Sequence, residues 1–151
     1  MSAFDVEAFL SSAVTDANST RTEPVPEGEY MAVAHISDDP ANPAVRTTQS
    51  GKVVLDVQWA IDNAGVKAAT GRDDPVVRQS IFLDLDSNGR LDVSKGRNIQ
   101  LGRLREALNL NTPGVPFKFA DISGKVARVL VKHRLDSEGT TWADVKGVTR
   151  A

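Results

Sequence analysis

From residue 28 onward, apolar and polar side chains alternate with a period of two in one stretch after another. The alternation is cleanest over 52–61 (KVVLDVQWAI), where Val53, Leu55, Val57, Trp59 and Ile61 share one face. That period predicts a strand with one buried side. Residues 29–37 (EYMAVAHIS) predict a strand before it, and 76–85 (VVRQSIFLDL) a third strand after it, with Val77, Ile81, Leu83 and Leu85 inward. A fourth strand is predicted over 125–134 (KVARVLVKHR), with Ala127, Val129 and Val131 inward, and a fifth over 140–149 (TTWADVKGVT). The intervening DSEG spells a hairpin turn. Between the third and fourth strands the period changes. Leu101, Leu104 and Leu108 fall at i, i+3 and i+7, which predicts a helix over 97–109. Ser94 and Asn98 are the candidate caps, and Pro113-Gly114 prevents continuation. Residues 38–50, with two prolines among polar residues, and residues 62–74 read as loops.

Ahead of this pattern, 4–14 (FDVEAFLSSAV) predicts a short helix with Phe4, Phe9 and Leu10 available to pack. Pro24 and Pro26 break any helix in the polar stretch after it. The chain therefore divides into an arm, residues 1–27, and a domain, residues 28–151. The order β-β-β-α-β-β predicts an all-β fold: a five-stranded OB-fold barrel with a helix between strands 3 and 4 and an N-terminal helical arm. Such barrels bind oligonucleotides or oligosaccharides on strands 2 and 3 and on the 1–2 and 4–5 loops.

A chain of 151 residues suits one domain, and the absence of cysteine excludes disulfides and thiolate metal sites. The first residues carry acids where an export signal needs cations, and no apolar run reaches membrane-spanning length, so the cytoplasm (of a host, if phage-encoded) is the expected location. The net charge of −2 hides an asymmetry. Residues 1–89 hold 6 Lys/Arg and 14 Asp/Glu, a balance of −8, whereas residues 90–151 hold 12 and 6, a balance of +6. A basic second half suits a polyanion partner, but from charge alone the plainer reading, two solvated surfaces that neutralise each other in the fold, stands slightly ahead.

The candidate chemistry is binding chemistry. Arg128, Lys132 and Arg134 share the outward phase of the fourth strand. Trp142 and Lys146 share a phase of the fifth, with Asp144 and Arg150. Cations track phosphates and a ring stacks a base; the plain alternative is a solvated sheet face with Trp142 half in the core. Phe82 lies in phase with Arg78 and Ser80, not with the core residues of its strand, and Val54 is likewise out of phase. An outward ring there can stack a base, or be covered by Phe4, Phe9 and Leu10 of the leading helix. The 1–2 loop offers Arg46 and Lys52 to phosphates. His133 falls on the inward phase and reads as an interior histidine. DLDSNGRLD places Asp84, Asp86, Asn88, Gly89 and Asp92 at calcium-loop spacing, but Lys95 stands where a bidentate Glu is required. No metal or other cofactor is expected, and no catalytic motif is present.

The stretches PVPEGEYMA, QSGKVVLDVQW, LDVSKGRNIQLGRLREALNL and GKVARVLVKHRLDSEGTTWADVKGV resemble phage and prophage OB-fold single-stranded-DNA-binding proteins. The resemblance runs from about residue 23 to 148 and is sharpest over 101–108 and 131–147. It implies non-enzymatic binding of single-stranded DNA in phage replication or recombination. Replication proteins and further copies of the chain remain open as partners, and no membrane is implied. The chain ends in the basic KGVTRA, so the resemblance does not extend to an acidic recruiting tail. The alternative expectation is a phage structural or protein-interaction module on the same barrel, without nucleic acid.

Overall fold

The alternating stretches form β1 (Gly28–His35), β3 (Val53–Ile61), β4 (Val76–Leu83), β5 (Val126–Leu135) and β6 (Thr141–Arg150). A three-residue strand, β2 (Val45–Thr47), lies within the segment read as the first loop. The structure, a computed structural model, describes residues 3–151. β1 pairs with both β3 and β5, β3 with β4, and β5 with β6, all antiparallel. A parallel contact between β4 and β6, registered at Arg78 opposite Asp144, closes the ring. The result is a mostly-sheet molecule built on a closed five-strand barrel. β3 divides its outer edge: 58–61 pair with β1, and 53–55 pair with β2.

The predicted inward residues fill the barrel. Leu55, Val57, Trp59, Ile61, Val77, Ile81, Ala127, Val129 and Val131 are all buried. Each large apolar side chain so placed stabilises the fold by about 1.5–3 kcal/mol relative to exposure. The barrel also encloses Gln79, which accepts a 2.9 Å hydrogen bond from the Trp59 indole N–H, so neither polar group is left unpaired. Helix α3 (Ile99–Ala107) packs Leu101 and Leu104, with Leu108 just beyond it, against the same core. Val25 is buried there too, so the chain joins the barrel before β1 begins.

Several expectations need correction. Residues 62–74 are not all loop: Asn63 caps the helix α2 (Ala64–Thr70) by accepting from the Val66 N–H, and Gly71 ends it in the left-handed region. Val66 and Thr70 are its buried side. β4 stops at Leu83, and Leu85 is exposed, bridged to Leu91 in the next loop. Asn98 precedes α3 but does not cap it. Its amide instead donates to the Asp84 and Asp92 carbonyls and its oxygen accepts from the Asp84 N–H, closing the 84–98 loop. His133 is exposed on β5, with a ring nitrogen 2.8 Å from the Val25 carbonyl oxygen. Helix α1 (Val6–Ser11), capped by Asp5, has no buried residue. Phe4 and Phe9 face each other at 5.2 Å and both stay exposed, so the helix does not cover Phe82.

Candidate nucleic-acid interface

The outward positions of β3, β4 and β6 make one continuous face. Register sets Phe82 beside Val54, Ser80 beside Asp56, and Arg78 between Gln58 and Asp144. Phe82 is 53 % exposed, whereas Val54 next to it is 1 % exposed. Val54 lies outside the barrel core, flanked in register by Arg46 on β2 and Phe82 on β4. Its out-of-phase position in the sequence reflects this outer seat. Lys52 holds its ammonium 5.5 Å from the Phe82 ring centroid, within cation–π range.

At the other end of the face stands Trp142, 50 % exposed. Its indole N–H donates to Asp136 at 2.8 Å, and the other Asp136 oxygen accepts from the Glu138 and Thr140 N–H groups. The ring is thus fixed by the hairpin turn that carries it. The Trp142 hydrogen bond, followed by that from Thr140, holds the Asp136 carboxyl below the usual carboxylate range. From the Arg78–Asp144 register point, Phe82 lies four residues along β4 in one direction and Trp142 two residues along β6 in the other. At a strand rise of about 3.3 Å per residue the rings are roughly 20 Å apart.

Two predicted cations are already paired. Arg46 meets Asp56 at 2.7 Å and Arg134 meets Asp144 at 2.7 Å. Burial pushes the Asp56 carboxyl up, but hydrogen bonds from Arg46 and Ser80 and the charges of Arg46 and Arg78 outweigh it and hold it low. Lys52, Arg78, Arg128, Lys132 and Lys146 have no ion pair among the described residues. Lys132 faces Asp144 across β5 and β6, and so borders the face. Arg128 does not join it: it sits between Met31 and Thr149, on the β1–β5 side. Lys146 is the extra residue of a bulge, since Leu130 pairs with Gly147 and Val131 with Val145. The bulge shifts the phase of the residues after it, so Arg150 leaves the Trp142 row and donates to the Glu106 carbonyl of α3.

Beside Trp142 lies a cleft of about 600 Å³ that also gathers Arg21, Arg72, Arg78 and Arg134. Arg21 and Arg72 were not singled out from the sequence. Asn63 followed by a short helical run and Gly71 was the signal for α2, and hence for the turn that presents Arg72. Nothing local marks Arg21. The adjoining wall is pinned: the Val25 carbonyl meets the His133 ring, the Glu27 carboxylate accepts from the His133 N–H, and Tyr30 donates to the Pro26 carbonyl.

The calcium-loop spelling builds no cation site. Asp86 accepts from the Asn88 and Arg90 N–H groups, Asp92 from Ser94, and Asp84 from the Asn98 N–H. Among the described residues no three His, Cys, Asp or Glu side chains converge to hold a metal, and no helix is long and apolar enough to cross a membrane.

No protein-family model matches this chain, and no curated protein matches it. The functional reading therefore rests on the face itself.

Proposed function

We propose that this protein binds single-stranded DNA without sequence preference, on a barrel of the OB type, and carries out no catalysis. The observation that carries the reading is a pair of half-exposed rings, Phe82 and Trp142, on one outward face with Arg78 between them. Every base has a π face, so stacking tolerates any sequence and contributes about 1–3 kcal/mol per base. Arg78, Lys52 and Lys132 neutralise phosphates along the same path, which makes affinity fall as salt rises. Arg46 and Arg134 border the same path, each held by an aspartate, Asp56 or Asp144, whose side chain is only partly exposed. The barrel strands, taken in chain order, neighbour one another as first, second, third, fifth, fourth and back to first, with α3 between the third and fourth. That arrangement supports the OB assignment. The resemblance to phage single-stranded-DNA-binding proteins agrees, and extends the proposal to replication or recombination.

A second reading, a protein-interaction module, draws on exposed Met31, Val33 and Val126 beside Arg128. Titration of the tryptophan fluorescence with oligothymidine decides between them. Trp59 is fully buried, so quenching reports Trp142. The expected result is quenching at low salt, reversal at high salt, and poor competition by duplex. Equal binding of duplex and single strand, or no quenching at low salt, refutes the proposal.

A further inference from the structure

We infer that the cleft between the segment preceding β1 and the β5–β6 hairpin seats one nucleotide of the bound strand, its base on the Trp142 ring and its flanking phosphates on Arg21 and Arg72. This deepens the single-stranded-DNA reading and rests on it.

Four observations converge on the cleft. The first is size: about 600 Å³ falls within the roughly 300–1,000 Å³ typical of small-ligand sites. The second is charge. Arg21, Arg72, Arg78 and Arg134 line it against Glu23 and Asp144. Asp144 is occupied by Arg134, which leaves three guanidinium groups facing a single carboxylate. Guanidinium forks match phosphate oxygens two at a time.

The third observation is the aromatic wall. The Asp136 hydrogen bond sets the plane of Trp142 before any ligand arrives, so little ordering entropy is lost on stacking. The fourth is that Arg72 stands on anchored backbone and that Arg21 lies close in sequence to an anchored residue. Arg21 is four residues from Val25, which is buried in the core and held by His133. Arg72 comes directly after Gly71, whose left-handed φ of 68° turns the chain out of α2, and its own N–H is bonded to the Thr70 hydroxyl at 3.3 Å. Neither arginine belongs to a barrel strand, so the binding surface extends beyond the sheet face to the arm and to the α2 exit.

The test uses the full chain and a fluorescein-labelled oligothymidine, with affinity measured by anisotropy across a salt series. Arg21→Ala and Arg72→Ala each remove one phosphate contact. For a single strand each should flatten the slope of log K against log salt by about 0.7, and the double variant by about twice that. Quenching of Trp142 at saturation should fall in the double variant as well. Arg103→Ala, an exposed residue of α3, removes the same charge and should leave the slope unchanged. Phe82→Ala should weaken binding without changing the slope. If the wild type binds oligothymidine and the double variant keeps its slope and quenching, the cleft assignment is overturned while the functional reading stands. If Arg103→Ala flattens the slope as much as Arg72→Ala, net charge rather than the cleft is responsible and the assignment is again overturned. If the wild type binds no oligothymidine, both fall together.

Discussion

Replacing Trp142 by alanine tests binding separately from folding. The ring is half exposed, and its one hydrogen bond, to Asp136, lies at the surface. Deleting it removes a hydrogen bond worth about 1 kcal/mol net together with the packing of the ring's covered half, and leaves the core, built around Trp59, intact. For a chain of this size each 1 kcal/mol lost corresponds to a fall in Tm of about 2–4 °C. Loss of one stacked base costs about 1–3 kcal/mol of binding. At about 1.4 kcal/mol per factor of ten, affinity for oligothymidine should drop roughly 5-fold to 140-fold. The assay is anisotropy of a labelled oligonucleotide at low salt, with circular dichroism melts to confirm folding. Because the indole carries no charge, the salt slope should match that of the wild type. Trp142→Phe should recover most of the affinity. An alanine variant that melts like the wild type and binds within twofold of it would refute the stacking argument.

Two further outcomes concern the interior and the hairpin. Gln79→Leu strands the Trp59 indole N–H inside the barrel and should cost about 1–3 kcal/mol in urea denaturation. DNA affinity should stay unchanged, and a variant as stable as the wild type would contradict the pairing. The Asp136 carboxyl is held low by Trp142 first and by the Thr140 N–H second. A depressed folded-state pKa means that the anchoring of Trp142 is fully present above the ordinary carboxylate value, about 3.9. It is lost only as pH falls below that value, through the lower folded-state one. Trp142 emission should therefore hold steady from pH 7 to pH 5, and a transition centred above pH 5 would show that Asp136 does not anchor the ring.

The strands were legible because a half-buried strand writes its two faces into alternate residues. Leu55, Val57, Trp59 and Ile61 are the plain case, all buried as the alternation requires. Leu101, Leu104 and Leu108 marked α3 in the same way. What escaped was structure whose cause lies elsewhere in the chain. β2 is three exposed residues that form a strand because β3 offers an edge. The Lys146 bulge cannot be read from β6 alone, since a phase slip is defined by the partner strand, and it sent Arg150 to the other side. Phe82 and Val54 were visible as breaks in phase, and that signal pointed to the outer face. The pairing of Arg46 and Arg134 with aspartates was not visible, because Asp56 and Asp144 become neighbours only through cross-strand placement. Arg21 and Arg72 belong to the same class, brought to Trp142 by tertiary packing.

The parallel junction of β4 with β6 has a mechanical meaning. The other joints of the cylinder are antiparallel ladders, whereas this one rests on a single registered pair, Arg78 opposite Asp144. That joint runs directly beneath the bed between the two rings. On the proposed reading, a DNA strand draped over it would act as a stitch across the weakest closure in the wall, so that occupancy and integrity of the cylinder would rise together. Any excursion that parts the two strands would dismantle the proposed bed at the same moment.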